Sequence, residues 1–198
     1  MKTLNLLALV PHRDACLPLR AWSAALFAAG CDGAWSFPWA APLAVVSCPL
    51  RAEELQALAR ALREQSLAGE RTGKFSGGQA ARAALGGCFD TAALFGPVLD
   101  FDLPNSFFDS VPAEKIISRF SPPVLGAALL RDGDPVSGLP PAPAVSFRAA
   151  ALANLACRPL AAARGGAGAA YSVEWRIGAL RWLPAVKKTD SKNRAQGR

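Results

Sequence analysis

Residues 3–30, TLNLLALVPHRDACLPLRAWSAALFAAG, decide how the rest of the chain is read. Thr3–Val10 is a short apolar run stopped by Pro11, and that length and clean end suit a buried strand better than a helix. The period then changes. Leu19, Trp22, Leu26 and Ala29 recur at spacings of three and four, with Gly30 where a C-terminal cap would stand, so Leu17–Gly30 is expected to be an amphipathic helix. The same residues have a second reading, in which Arg20, the apolar Ala21–Gly30 and then Cys31 form a signal core ending in a lipoprotein-type cysteine. Asp14 and Pro18 upstream weigh against it.

Further along, Gly33–Cys48 (GAWSFPWAAPLAVVSC) is broken by Pro38 and Pro42 before a strand at Leu43–Ser47. Arg51–Gln65 is a second helix: Leu55, Leu58, Ala59 and Leu62 make one stripe, and Arg51, Glu53, Glu54, Arg60, Arg63 and Glu64 take the other positions. Gly69–Gly78 (GERTGKFSGG) reads as a basic surface loop, because its glycine spacing is one residue short of a phosphate-binding P-loop. Leu94–Leu103, Ile116–Phe120, Val124–Leu130, Ala144–Ala149 and Tyr171–Leu183 are expected strands between loops rich in Gly and Pro. Two early helices followed by many strands predict a two-lobed α+β fold.

Composition narrows the function classes. The chain has 198 residues, 52% of them hydrophobic and 19% charged, enough for one domain with a real core. Its net charge of +7 suggests a nucleic-acid partner only until it is located. Lys187, Lys188, Lys192, Arg194 and Arg198 stand against Asp190 in the last twelve residues, so most of the excess belongs to a basic tail expected to be solvated and disordered. The five cysteines, Cys16, Cys31, Cys48, Cys88 and Cys157, lack zinc spacing and fit small buried side chains in a reducing cytoplasm. No apolar run reaches the roughly 18 residues of a membrane-spanning helix, so no membrane partner is expected.

The stretches Leu6–Pro11 (LLALVP), Gly30–Ala44 (GCDGAWSFPWAAPLA), Phe120–Gly126 (FSPPVLG) and Tyr171–Pro184 (YSVEWRIGALRWLP) follow a recognisable order. A strand and a helix lead to an aromatic–Pro motif opening a strand, and a second Pro-rich strand start follows later. This order resembles the two-histidine phosphoesterases, the superfamily of 2′-5′ RNA ligase-like proteins and cyclic nucleotide phosphodiesterases. In that family each lobe contributes a histidine and a hydroxyl to one phosphate: one imidazole accepts a proton and the other donates one to the leaving oxygen. In this chain the first motif's histidine and hydroxyl positions are Ala40 and Pro42; in the second motif Pro123 takes the histidine position, and the hydroxyl position is either missing or filled by Leu125. None of these side chains transfers a proton, and the chain has one histidine, His12.

The resemblance implies a bilobal α+β domain over residues 1–186, with two antiparallel sheets, flanking helices and a central cleft lined by Ala40, Pro42, Pro123 and Leu125; residues 187–198 are the tail. It implies a catalytically inactive cleft, without a cofactor or bound metal, that takes a nucleotide, an RNA end or another ligand. Candidate contacts are Arg119, Arg148 and Arg176, whose guanidinium groups suit phosphate, together with Trp39 and His12. Each has a plainer role as a solvated strand residue, a core aromatic or an exposed turn residue. Trp35, Trp175 and Trp182 could stack on bases but fit core packing as well. Cys48 and Cys157 lack a histidine in sequence to activate either thiol. Two other function classes stay open: a hydrolase with a metal held by Asp100 and Asp102, and a protein-interaction module with an apolar cleft.

Overall fold

Alternation along the first strand divides the core. The computed structural model describes residues 3–67, 73–74, 80–86, 89–99, 103, 105–131, 136–143, 146–147, 149–159 and 173–183. Their elements are β1 (Leu4–Pro11), α1 (Arg13–Ala28), β2 (Ala41–Val46), α2 (Ala52–Leu67), β3 (Gly73–Lys74), β4 (Ala80–Gly86), β5 (Phe89–Pro97), β6 (Ile116–Arg119), β7 (Ala128–Arg131), β8 (Ser146–Phe147), β9 (Ala149–Pro159) and β10 (Val173–Trp182). Two short 3-10 turns, Asn105–Phe108 and Ala113–Lys115, precede β6. In β1, Leu7 and Leu9 face the helices while Leu4, Leu6 and Ala8 face the other way, as the period of two requires. The expected first strand is therefore present.

The fold is α+β with two principal antiparallel sheets and flanking helices, a bilobal build. A five-stranded sheet has the order β10-β9-β1-β2-β6, and a three-stranded sheet the order β4-β5-β7; β3 and β8 make a separate short pair. One face of the large sheet packs on α2 and the start of α1 through Leu19, Leu55, Leu58 and Leu62. Its other face packs on Leu85 and Leu94 of the small sheet. No helix among the described residues is long and apolar enough to cross a membrane.

Both helices differ from expectation at the N-terminus or on one face. The first helix starts at Arg13, four residues before the expected Leu17, and takes Pro18 into its interior. His12 is its N-cap and Asp14 lies in its first turn, where a carboxylate meets the positive end of the helix dipole. At the other end the sequence reading holds. Gly30 has φ +87, its N–H donates to the Phe27 carbonyl, and the Cys31 N–H donates to the Leu26 carbonyl, which together form a Schellman cap. Cys31 is buried against Leu26, so the residues behind the lipoprotein reading make the last turns and cap of a packed helix. In α2 the aliphatic stripe is as expected, but Glu54, one of the charged residues off that stripe, is 6% exposed.

The two sheets share a seam. Residues 116–131 lie beside the chain leading into β2: the Phe120 N–H donates to the Leu43 carbonyl at 3.0 Å, Gly126 to Ala40 at 2.8 Å and Leu129 to Gly33 at 3.0 Å. On their other side Leu125 donates to Pro97 at 2.9 Å and Ala127 to Phe95 at 3.0 Å. One stretch of chain thereby joins the lobes by backbone hydrogen bonds along both edges.

Candidate functional site

The seam carries the four motif positions, Ala40 and Pro42 in the stretch entering β2 and Pro123 and Leu125 in residues 116–131. Ala40 and Leu125 come from opposite sides of it, and all four positions are buried; Ala40 is 2% exposed and Leu125 is fully enclosed. The chain packs closely around two glycines beside them. A Cβ built on Gly126 would lie 2.2 Å from the Phe37 ring and 2.6 Å from a Leu94 methyl, and one on Gly96 would lie 1.7 Å from the Leu125 carbonyl oxygen. Among the described residues these four positions are therefore surrounded by packed core.

The other candidates are scattered. His12 Nδ1 lies 2.9 Å from an Asp14 carboxylate oxygen and 3.5 Å from the Asp14 N–H, so the imidazole is occupied at the start of α1. Trp39 is half-buried, and its indole N–H donates to the buried Ser23 hydroxyl at 3.3 Å, tying the lead-in of β2 to α1. Trp175 donates likewise to the Ser36 carbonyl at 2.8 Å. Arg176 is committed to Glu174 at 2.7 and 2.9 Å, and Arg158 shares the same carboxylate. Hydrogen bonds from Arg176, with its charge and that of Arg158, hold the Glu174 carboxyl below its usual range. Cys48 is exposed and Cys157 buried, while burial and the nearby Asp14 charge push the Cys16 thiol up, away from thiolate reactivity. Arg148, Asp100, Asp102 and the 187–198 tail lie outside the described residues. Among the described residues no group of three or more His, Cys, Asp or Glu is placed to hold a metal.

Arg119 is different. It is exposed at the end of β6, and among the described residues no carboxylate pairs with it. Its guanidinium carbon stands 4.5 Å from the centre of the Phe108 ring, a cation–π stack that holds the long side chain in place. Arg119 and Phe108 line an open hollow of about 550 Å³ together with Asp109, Ser110, Val111 and Ile116. That volume lies in the range of small-molecule sites. The hollow offers a planar cation, a carboxylate and a hydroxyl over an apolar floor.

The 3-10 turn Ala113–Lys115, whose Ala113 borders the hollow, is held from behind. The Lys115 ammonium donates to both Glu54 oxygens at 2.6 and 2.9 Å, and the Arg51 N–H donates to the same carboxylate at 2.7 Å. The Ser47 N–H donates to the Lys115 carbonyl at 2.8 Å. Burial works to raise the Glu54 pKa, but the Lys115 hydrogen bonds, the Arg51 N–H and the two cationic charges outweigh it and hold the carboxyl below its usual value. The turn before β6 is thereby fixed to the start of α2. Sequence reasoning found Arg119 but missed Phe108, Asp109 and Ser110, which sit in a segment without periodicity; the adjacent Phe107–Phe108 pair ahead of two polar residues was the available signal.

Comparison with family models, curated proteins and solved structures gives no match to this chain. The resemblance to two-histidine phosphoesterases therefore rests on the short stretches quoted above.

Proposed function

We propose that the protein binds a small anion of the nucleotide class in the Arg119 hollow, on a two-histidine phosphoesterase-like scaffold whose motif positions no longer move protons. The carrying observation is Arg119: it was singled out beside the second motif, and it borders the hollow with its guanidinium stacked on Phe108 and without a carboxylate partner among the described residues. A guanidinium held in this way keeps its donors for a phosphate and its outer face for a base. Asp109 and Ser110 supply acceptors for the N–H donors of such a base. The aliphatic filling around Ala40, Pro42, Pro123 and Leu125 supports a role without proton transfer at the seam. The exposed free thiol of Cys48 supports a reducing cytoplasm as the compartment.

Calorimetric titration with AMP tests the reading. Saturable binding should weaken at least tenfold, about 1.4 kcal/mol, in Arg119→Ala. Equal binding by the wild type and that variant, or no binding by either, would remove the hollow from consideration.

A further inference from the structure

β10 ends the five-stranded sheet. It pairs with β9 on one side and, among the described residues, with nothing on the other. An edge strand presents alternate N–H and C=O groups outward, ready to pair with an added strand. At ten residues β10 is long enough for that, whereas β6 at the opposite edge has four.

Its side chains divide by face. Trp175 and Leu180 pack on the core between the sheets, while Ala179 and Leu183 pack on the helix side. The ladder shifts register between Ile177 and Leu180, and the period of two on either side places Ile177 with Trp175 and Trp182 with Leu180. Ile177 is 59% exposed and Trp182 is 69% exposed, so an apolar strip runs from the core to the sheet edge and stops in solvent. Arg176 and Arg181 fall on the opposite face, with Arg158 and Arg63 nearby; Arg63 donates to the Trp182 carbonyl at 3.1 Å. Among the described residues Glu174 is the acid on this face, and it is already shared by two arginines.

We propose that β10 is the docking edge for an extended segment of a partner protein in which apolar and acidic residues alternate. Added as a further strand, such a segment sets its apolar side chains beside Ile177 and Trp182 and its carboxylates beside Arg181 and the Arg158–Arg176 pair, whose two charges share one carboxylate; such cross-strand pairs stabilise a sheet. Charge selects this occupant over a second copy of the chain, because pairing two β10 strands would crowd arginine against arginine.

The probe is a labelled ten-residue peptide alternating Glu and Val, followed by fluorescence anisotropy and by amide hydrogen exchange of the full chain. Binding should be at least tenfold tighter than for the matching Lys–Val peptide. It should be lost when alternate peptide nitrogens along one edge are methylated, and should slow exchange in β10. Trp182→Ala should weaken it at least fivefold with an unchanged circular dichroism spectrum. Equal binding of the methylated peptide, protection confined to other elements, or a stable dimer whose β10 amides are already protected would overturn the proposal.

Discussion

Two residues at the centre of the fold carry costs that can be measured singly. Gly126 sits under the Phe37 ring, and Gly126→Ala forces that ring or Leu94 to move. Overpacking of this kind costs about 1–3 kcal/mol, and urea denaturation should show the loss as a lower midpoint with an unchanged slope. Asn154 is 4% exposed, and its amide closes both backbone groups of Leu50: it accepts from the Leu50 N–H at 3.2 Å and donates to the Leu50 carbonyl at 2.7 Å. Asn154→Ala leaves those buried groups unpaired, so about 2–3 kcal/mol should be lost in the same measurement. Neither cost is written in the sequence. Asn154 stands in the alanine-rich AALANLACRP, and nothing there says that its partner is a hundred residues away.

At the scale of elements, the Glu54–Lys115 pair ties the start of α2 to the turn before β6. Glu54→Gln leaves the Lys115 charge with little compensation, at a cost of about 3 kcal/mol near neutral pH. The folded pKa of Glu54 is depressed, so the pair's contribution is complete above the unfolded value of about 4.3 and is lost as pH falls through the folded value. Stability curves of the wild type and Glu54→Gln should therefore lie furthest apart at pH 7 and converge in acid; a gap independent of pH would mean that the ion pair contributes nothing. Periodicity made β1, the body of both helices and the cap at Gly30 legible. It failed for β4, AARAALG, and for most of β9, because alanine favours helices in isolation and only pairing with β5 and β1 makes these segments strands. The site was half legible. Arg119 announced itself by its place beside a Pro-rich strand start, but the hollow depends on the 3-10 turn that carries Phe108 and on a second, Ala113–Lys115, that the Glu54–Lys115 pair fixes, and long-range packing of that sort leaves no local pattern.

Over the whole molecule, the seam ties the two sheets together through the stretches that carry Ala40, Pro42, Pro123 and Leu125. Backbone hydrogen bonds from Phe120, Gly126 and Leu129 fix residues 116–131 against the lead-in to β2, and Phe37, Leu94 and Leu125 fill the ground between. Proton transfer needs two titratable groups within hydrogen-bond reach of one phosphorus centre, whereas binding needs only the donors at the rim. The two predictions separate in one measurement, a phosphorus NMR titration of 2′,3′-cyclic AMP with the purified protein. The account predicts a shifted or broadened cyclic phosphate resonance that returns to its free position in Arg119→Ala, with no phosphomonoester signal after prolonged incubation. A growing phosphomonoester resonance, or a cyclic phosphate signal identical with the wild type and with Arg119→Ala, would contradict it.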